Sequence, residues 1–414
     1  MVELKNNITT VRVSFHALQK QYTVTELPVS VPLGLKRYGL SEIINHLLEL
    51  DPIVPFDIFV NGKYLNSTLA SAIEEHGLST ETVITLKFCE AFRAPSAKFQ
   101  ASVSDWVSSI AFLSSNLCIA GLYDSTVEIW DTNTNVLVHK SSFHTNCIKS
   151  VALISSDANK YICITSSLDQ LATIFEYDAL TQVVSPLYIL SGHVASVEDV
   201  AVNPRKTHVV TSSWDLSLRL WDSSFEEEKY ESYAAKRSHA KIPSSCPERE
   251  SIALYEGHSG AVTGCLWTDE SSFASCSWDH SIRLWDVEAA TSTQILVGPT
   301  ALNDLAASPD SRLFATASSD STVRVWDPRA QGSVIALTLP AGHTSLVTCV
   351  SWDPAKCNQF VSGSYDRKIN VWDLRSSLPL HQMNEHSDDV LCVVCSDDGI
   401  IASGSKDQTI VFRK

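Results

Sequence analysis

The chain has 414 residues, 44% apolar and 19% charged, which predicts a well-packed globular protein of two units or of one repeat array with an added module. Its formal net charge is −16, and residues 101–414 hold 22 Lys and Arg against 37 Asp and Glu, so we expect no strong direct nucleic-acid binding. Eleven singly scattered cysteines, no apolar run long enough for a membrane span and no signal-peptide core predict a soluble protein of a reducing, intracellular compartment.

The first half of the N-terminal region carries signals for two strands and a helix. Residues 8–15 alternate and are rich in β-branched side chains, which predicts a strand, and the run 22–31 provides a partner for it. Apolar residues then recur at helical spacing on one stripe, formed by Leu40, Ile43, Ile44, Leu47 and Leu48. We expect Ser41 to be the N-cap and Asp51-Pro52 to end the helix.

The second half of this region completes a small mixed domain. Residues 56–60, followed by Asn61-Gly62, are typical of a β-hairpin. A short helix over 69–76 ends at Gly77, and residues 83–88 form a final strand. This order of elements resembles a ubiquitin-like β-grasp (α+β) domain, which we assign to residues 1–90.

The strongest signal after residue 100 is an internal repeat that ends in Trp-Asp. Five tryptophans occupy this position, namely Trp130, Trp221, Trp285, Trp326 and Trp372. An aspartate stands six residues before each, and two degenerate copies bring the number of such aspartates to seven, separated by 45, 46, 64, 41, 46 and 41 residues. This period is typical of WD40 repeats, each of which builds one four-stranded blade. We therefore predict a mainly β protein with a seven-bladed WD40 propeller over residues 103–414.

A second set of polar residues recurs within the repeats. The predicted members of three blades are His193, Thr211, Asp215 and Trp221; His258, Ser275, Asp279 and Trp285; and His343, Ser362, Asp366 and Trp372. In the WD family, which this region resembles, these residues form one buried hydrogen-bond chain in each blade. His258, Ser275 and Asp279 also have the composition of a catalytic triad, but the trio recurs in several blades, whereas catalytic machinery is assembled once. We therefore expect a structural role and no catalytic residue.

Two blades lack parts of this polar set. Blade one has Val103 and Ala120 at the His and Ser positions, and blade five has Pro299 for His, so we expect apolar packing alone to hold them. The last repeat has three strands, and we expect residues 97–102, at the end of a 91–102 linker, to supply the fourth and close the ring.

The longest gap between repeats contains an insert at 223–250. It is charged, holds two prolines and lacks alternation, which predicts a mobile loop between the third and fourth strands of blade three. A tolerated surface insertion and a docking segment that orders on binding both remain open.

Leu35–Leu48, with the sequence LKRYGLSEIINHLL, placed ahead of a WD propeller, makes the resemblance specific. The chain resembles the WD-repeat ribosome-biogenesis family of the pescadillo/block-of-proliferation complex, which has a Notchless-like N-terminal domain. The resemblance implies a non-catalytic scaffold of the pre-60S ribosomal particle, in the nucleolus and nucleoplasm. It implies that the propeller binds the block-of-proliferation protein, with pescadillo in the same complex, and that the complex supports pre-rRNA processing.

The same resemblance assigns a role to the N-terminal domain. In the family, this domain is gripped by the AAA ATPase midasin, whose adhesion domain holds a Mg²⁺ with one coordination position left for a partner's carboxylate. The segment Gly77-Leu-Ser-Thr-Glu81 matches the loop that supplies this carboxylate. Glu81 is therefore the implied ligand of the partner's Mg²⁺, and we expect no metal or cofactor of the chain's own.

The sequence also bears on two other function classes, an adaptor and an enzyme. A generic WD40 adaptor, such as a ubiquitin-ligase substrate receptor, predicts a basic or aromatic pocket on one propeller face for a modified peptide, and the sequence leaves this alternative open. An enzyme is not supported, because the chain has no P-loop, GxSxG, HExxH or dinucleotide fingerprint.

Overall fold

The computed structural model describes residues 10–22, 24, 27–224, 246–310, 312–330 and 334–414. The chain divides into two compact units, Met1–Ala94 with Asp373–Leu380, and Pro95–Trp372 with His381–Lys414. Within the described ranges, the helices are too short or too polar to cross a membrane.

The first unit is a five-stranded mixed sheet with two helices. Its described elements are β1 Thr10–Ala17, β2 Val29–Pro32, α1 Arg37–Leu48, β3 Phe56–Val60, β4 Lys63–Tyr64, α2 Leu69–Glu75 and β5 Ile84–Glu90. The strand order is β2-β1-β5-β3-β4, and the central strands β1 and β5 are parallel. Leu40 and Ile44 of α1 join Phe15, Phe56 and Phe88 of the sheet in one buried core. This is the β-grasp arrangement predicted from the sequence.

The helix α1 differs from its predicted form. It begins at Arg37 with Lys36 as N-cap, so the expectation that Ser41 caps it is wrong. Ser41 lies buried inside the helix, and its hydroxyl accepts the Phe56 N–H at 2.9 Å, which ties α1 to β3. Leu47 is 40% exposed, because the buried face of the helix is the one that carries Leu40 and Ile44. Residues 8–9 of the predicted first strand lie outside the described residues.

The second unit contains seven sheets in its described residues. After β6 Ala97–Ser102, blade one consists of β7 Val107–Phe112, β8 Leu117–Leu122, β9 Thr126–Asp131 and β10 Val136–Ser142, and blade two of β11 Ile148–Asp157, β12 Lys160–Ser167, β13 Ala172–Asp178 and β14 Val183–Leu190. Blade three consists of β15 Val197–Val202, β16 His208–Ser213, β17 Ser217–Asp222 and β19 Ala253–Glu256, with β18 Glu248–Arg249 paired to blade two, and blade four of β20 Val262–Trp267, β21 Ser272–Ser277, β22 Ser281–Asp286 and β23 Thr291–Val297. Blade five consists of β24 Leu302–Ala307, β25 Phe314–Ser318, β26 Val323–Trp326 and β27 Ile335–Leu339, blade six of β28 Val347–Trp352, β29 Gln359–Ser364, β30 Ile369–Asp373 and β31 His381–Met383, and blade seven of β32 Val390–Cys395, β33 Ile401–Ser405 and β34 Thr409–Arg413.

The ring is closed by strands from both ends of the repeat array. Strand β6 pairs antiparallel with β34 as the fourth strand of blade seven. Beyond this pair, Ser96 and Lys414 exchange backbone hydrogen bonds of 3.0 and 3.1 Å. Phe412 of blade seven and Val107 of blade one belong to one buried core, and the inner strands β32 and β7 are in contact. The seven sheets therefore form a closed propeller whose cores lie between adjacent blades.

Polar side chains on the inner strands connect neighbouring blades. Asp199 of β15 accepts the Cys265 N–H of blade four at 2.9 Å. Asp304 of β24 accepts the Val350 N–H of blade six at 2.8 Å. Because both carboxyl groups are enclosed, burial and their mutual repulsion raise the pKa of Asp304 to about 7.

The turn after each second strand has the same backbone geometry in all seven blades. The residue that follows the repeat's aspartate has a positive φ, between 60 and 72°, and none of the seven is glycine: Ser125, Gln170, Leu216, His280, Ser321, Arg367 and Gln408. Such a conformation is strained for most side chains. The repeat therefore imposes this turn whatever residue occupies it.

The insert predicted at 223–250 connects β17 to β19 of blade three. Its residues 225–245 lie outside the described residues. At its end, Glu248–Arg249 forms a short parallel strand on β14 of blade two, where a loop was predicted. The Arg249 guanidinium lies 3.7 Å from the Tyr188 ring centroid and donates to the Asp222 carbonyl, so this end is attached to two blades.

Candidate functional surfaces

Glu81 lies in an exposed turn between α2 and β5. The helix ends in a left-handed residue, Gly77, with φ 59°, a conformation that glycine adopts without strain. Ser79 then organises the turn, because its hydroxyl accepts the Glu81 N–H at 3.2 Å and its carbonyl accepts the Thr82 hydroxyl at 3.2 Å. Among the described residues, no side chain pairs with the Glu81 carboxylate, which is free to bind a ligand from outside.

A cavity of about 440 Å³ lies beside this turn. Leu78, Thr82 and Val83 line one side of it, and Asn61 and Lys87 are also part of its wall. Val83 is 40% exposed, so the cavity presents apolar surface next to the polar turn. A partner that reaches Glu81 therefore meets an apolar contact beside the carboxylate.

The predicted polar set of blade four is brought together in the structure. The His258 Nδ1 lies 2.8 Å from Asp279 Oδ2, and its Nε2 lies 2.8 Å from Ser275 Oγ. The indole N–H of Trp285 donates to the same Ser275 Oγ at 2.8 Å. Burial alone would raise the pKa of Asp279, but the hydrogen bonds from His258 and Ser281 lower it well below its usual range.

Blades three and six repeat this geometry. In each blade the histidine ring lies within hydrogen-bond distance of the aspartate and of the hydroxyl, and the indole N–H donates to that same hydroxyl. The residues are His193, Asp215, Thr211 and Trp221 in blade three, and His343, Asp366, Ser362 and Trp372 in blade six. In blade six, hydrogen bonds to His343 and to backbone N–H groups outweigh burial and lower the pKa of Asp366 to about 2. These side chains therefore connect the strands and loops within each blade by buried hydrogen bonds.

The triad-like arrangement is inaccessible to a substrate. Ser275 and the His258 side chain are both 0% exposed, and the Ser275 hydroxyl already accepts from an indole. Across the described residues, no group of three or more His, Cys, Asp or Glu side chains is arranged to hold a metal ion.

Blade one contradicts the expectation that apolar packing alone holds it. Glu128, with a side chain only 3% exposed, accepts the Trp130 indole N–H at 3.2 Å and the Ser104 hydroxyl at 3.1 Å. Lys140 of the outer strand pairs with Glu128 at 3.1 Å and with Asp124 at 3.3 Å. An ionic network thus replaces the missing His and Ser.

Blades five and seven also use arginine where the repeat has lost a residue. In blade five, Arg324 donates to Asp320 at 2.5 and 3.1 Å, so the expectation of purely apolar packing is wrong there too. In blade seven, Arg413 occupies the tryptophan position, donates to Ser403 Oγ at 2.8 Å and pairs with Glu385 at 2.7 Å. The connection to the central hydroxyl is therefore kept by a different donor.

Five aromatic side chains and two lysines form a connected surface of the propeller, which we name the aromatic face. It consists of Trp106, Tyr123, Trp214, Trp278 and Tyr365, with Lys149 and Lys406 between them. Ring centroids are 5.5 Å apart for Trp214 and Trp278 and 5.4 Å apart for Trp106 and Tyr123. The three indoles are 39–45% exposed, and the neighbouring Val194 is 76% exposed.

This face was not predicted from the sequence, although a signal for it exists. Four of its rings immediately precede the repeat's aspartate: Tyr123, Trp214, Trp278 and Tyr365. Their backbone N–H groups donate to the loop that enters the same blade, which places all four at equivalent positions. Aligning the repeats on the aspartate and inspecting the residue before it would have predicted the face.

Comparisons with known proteins agree with this architecture. The NLE (NUC135) domain model matches residues 11–73, and the WD domain, G-beta repeat model matches residues 93–131, 184–222, 249–286, 290–327, 335–373 and 377–412. The unmatched second blade is the one with Phe175 at the tryptophan position, and its sheet is present in the structure.

Similar proteins match this chain over nearly its whole length. A protein named ribosome biogenesis protein WDR12 homolog in Nematostella vectensis is 30% identical over 415 residues, covering 98% of this chain and 99% of the relative. Homologues of the same name in Oryza sativa subsp. japonica and Ixodes scapularis are each 31% identical, over 92% and 97% of this chain and 91% and 97% of the relatives. The chain therefore belongs to the family of ribosome biogenesis protein WDR12 homologues, with an N-terminal NLE domain followed by WD40 repeats.

Proposed function

We propose that the chain is a non-catalytic scaffold of large ribosomal subunit assembly that acts in the nucleolus and nucleoplasm and supports pre-rRNA processing on the pre-60S particle. The aromatic face is the observation that carries this proposal. Tryptophan and tyrosine are the side chains that most often dominate the energy of protein interfaces. Here three tryptophans are exposed and two tyrosines are half-buried on a closed ring, so little conformational entropy is lost when a partner binds.

The partner proposed for the aromatic face is the block-of-proliferation protein, which brings pescadillo into the same complex. Trp214 and Trp278 provide a tilted pair of exposed indoles, and the exposed Val194 donates its backbone N–H to Asp215, the residue that follows Trp214. A protein segment with apolar side chains fits this surface better than a phosphate backbone, because the chain as a whole is acidic.

Replacement of one indole tests the docking surface. Trp278→Ala should weaken binding of the block-of-proliferation protein by about 2 kcal/mol, or roughly thirtyfold, as expected for an interface hot spot. Ile295→Ala is the matched control, since Ile295 is a similarly exposed side chain on the outer strand of the same blade. Equal affinities of the two variants, measured by isothermal calorimetry with the full chain, would contradict the assignment of this face.

The proposed role of Glu81 is to complete the coordination shell of the Mg²⁺ held by midasin. Mg²⁺ prefers oxygen ligands in octahedral geometry, and an exposed carboxylate on an organised turn can supply one of them. The Ser79 hydrogen bonds hold the turn, and the adjacent cavity offers a contact for an apolar side chain of the partner.

Substitutions at the turn separate assembly from release. In the full chain, Glu81→Ala should fold and still bind the block-of-proliferation protein, but lose Mg²⁺-dependent binding to the midasin adhesion domain. Glu81→Asp and Glu81→Gln should also lose most affinity, because one shortens the reach and the other removes the charge. Glu74→Ala, at an exposed glutamate on α2, is the control. Binding that survives EDTA, or an alanine variant that binds like the parent, would refute the role.

The alternative function is a generic WD40 adaptor, such as a ubiquitin-ligase substrate receptor, which also predicts an aromatic pocket on one face. Affinity purification of the tagged chain followed by mass spectrometry distinguishes the two. Recovery of pescadillo and midasin supports the ribosomal scaffold, whereas recovery of cullin subunits supports the adaptor.

A further inference from the structure

One of the lysines in the aromatic face lies between two of its rings. The Lys406 Nζ is 4.4 Å from the Tyr365 ring centroid and 5.1 Å from the Trp106 centroid. Asp389 pairs with the same ammonium at 2.7 Å, and the Lys406 side chain is 20% exposed. Two aromatic rings and a carboxylate around one ammonium are the groups from which proteins build recognition sites for methylated lysine and other quaternary ammonium ligands.

The second lysine repeats this arrangement. The Lys149 Nζ lies 5.8 Å from the Tyr123 centroid and 5.9 Å from the Trp214 centroid. Glu198 supplies the carboxylate, 3.3 Å from the ammonium, and is itself held by the Ser196 hydroxyl at 2.6 Å. Burial alone would lower the pKa of Lys149, but Glu198 and Tyr123 outweigh it and raise the pKa, so the side chain is charged.

We propose that Lys406 and Lys149 are specificity-determining residues: each is the chain's own occupant of an ammonium-recognition site and thereby denies the aromatic face to cationic peptides. The ring faces that a methylated lysine would need are already covered, and the two carboxylates are already neutralised. Trp278, with Val194, stays available to an apolar segment of a protein partner.

This inference rests on the proposed function of the aromatic face as a docking surface, and it makes that function selective. An interface that contains exposed indoles attracts arginine and lysine from any protein, because cations bind over aromatic rings. A built-in ammonium at each site removes this attraction without removing the rings, which is specificity obtained by excluding the wrong ligand. The face is left neutral and apolar.

The experiment opens the sites one at a time. The full chain is titrated with tetramethylammonium chloride and with a peptide carrying trimethyllysine, and the change in total indole fluorescence, to which Trp106 and Trp214 contribute, is followed. The unsubstituted protein should give no saturable quenching. Lys406→Ala should give saturable quenching with both probes, at least about fivefold larger than the non-saturable signal of the unsubstituted protein at the same probe concentration, because an open site of two rings and Asp389 is created. Lys149→Ala should do the same at the second site.

The arginine variants are the matched controls. Lys406→Arg and Lys149→Arg keep a cation over the rings and should bind no more probe than the parent. The inference is overturned if the parent binds the probes as tightly as the alanine variants. It is also overturned if both alanine variants keep the parent melting temperature and gain no binding.

A measurement on the unsubstituted protein covers the case in which the variants do not fold. Lys406 and Lys149 should react with an amine-acylating reagent severalfold more slowly than Lys63, whose side chain is 63% exposed, and equal rates contradict the inference. Failure of the proposed function is distinguishable, because it is read from Trp278→Ala and the block-of-proliferation protein. That result leaves the probe titrations unchanged.

Discussion

Blade four and blade one connect their turn aspartates to the rest of the sheet through different side chains. In blade four, a chain of hydrogen bonds runs from Asp279 through His258 to Ser275. In blade one, Glu128 and Lys140 form an ionic group around the aspartate instead. Both arrangements end on the indole N–H of the repeat's tryptophan. The comparison teaches that the repeat preserves satisfied polar groups rather than particular residues.

Removing the aspartate of the regular blade is expected to have the largest effect. Asp279→Ala leaves the His258 ring and the Ser281 hydroxyl without their acceptor, at about 1–3 kcal/mol for each buried group. Thermal denaturation should show a clear loss of stability. Asp286→Ala, at an aspartate that accepts a backbone N–H in a surface turn, is the control and should cost much less. Equal melting temperatures for the two variants would mean that the internal chain contributes little.

The irregular blade should lose less, but more than packing alone predicts. Glu128→Ala removes the acceptor of the Trp130 indole, at about 1–3 kcal/mol, while Lys140 can turn towards water. The stability of Glu128→Gln, which keeps an acceptor oxygen for Trp130, should lie between that of the parent and that of Glu128→Ala. Urea denaturation measures these differences. If Glu128→Ala unfolds at the parent midpoint, the ionic group is incidental and blade one is held by its apolar core.

The inner-strand carboxyl groups give a pH dependence of the opposite sign from that of the blade aspartates, whose pKa values are lowered. The pKa of Asp304 is raised to about 7, so its folded state favours the protonated form and the associated stability is lost as pH rises through that value. We expect the associated stability to fall as pH rises from about 4, near the ordinary pKa of the carboxyl, to about 7, by at most about 1.4 kcal/mol per pH unit, and to level off above that value. Asp304→Asn should flatten this dependence. A parent protein whose denaturation midpoint is constant over this range would show that the carboxyl is not titrating.

The shared turn geometry predicts the smallest change, and it is a gain. Leu216 has φ 71° and is 41% exposed, so it adopts a strained left-handed conformation at a position that is not part of the core. Leu216→Asn should raise the free energy of unfolding by up to about 1 kcal/mol, since asparagine tolerates this conformation. His280→Asn at the equivalent turn of blade four should behave alike. Leu254→Asn, at an exposed strand position, should bring no gain.

The repeated parts of the fold were predictable, because the spacing between aspartates occurs in seven copies and each copy supports the interpretation of the others. The aspartate period predicted the sheets, and the fixed offsets predicted which side chains meet in blades three, four and six. The strand Ala97–Ser102 follows from the need to cover the edge of β34.

What escaped prediction depends on the register in which strands pair and on side-chain contacts between elements. Lys140 meets Asp124 and Glu128 because β10 pairs with β9 in one particular register, which composition does not fix. Ser41 left its expected capping position because its hydroxyl has a partner on β3. The aromatic face required a comparison of positions between repeats, and each ring considered alone is an ordinary exposed aromatic.

The closing strand also determines how the molecule bears mechanical load. A force applied along the chain from the first unit passes through residues 91–96 and enters the propeller at Ala97, the start of β6. The bonds that resist it are those between Ser96 and Lys414 and the ladder from β6 to β34. Pulling on the N-terminal unit therefore strains the seam of the ring first. Under such a load, the last six residues of the chain, Thr409 to Lys414, carry the pairing that keeps the ring closed.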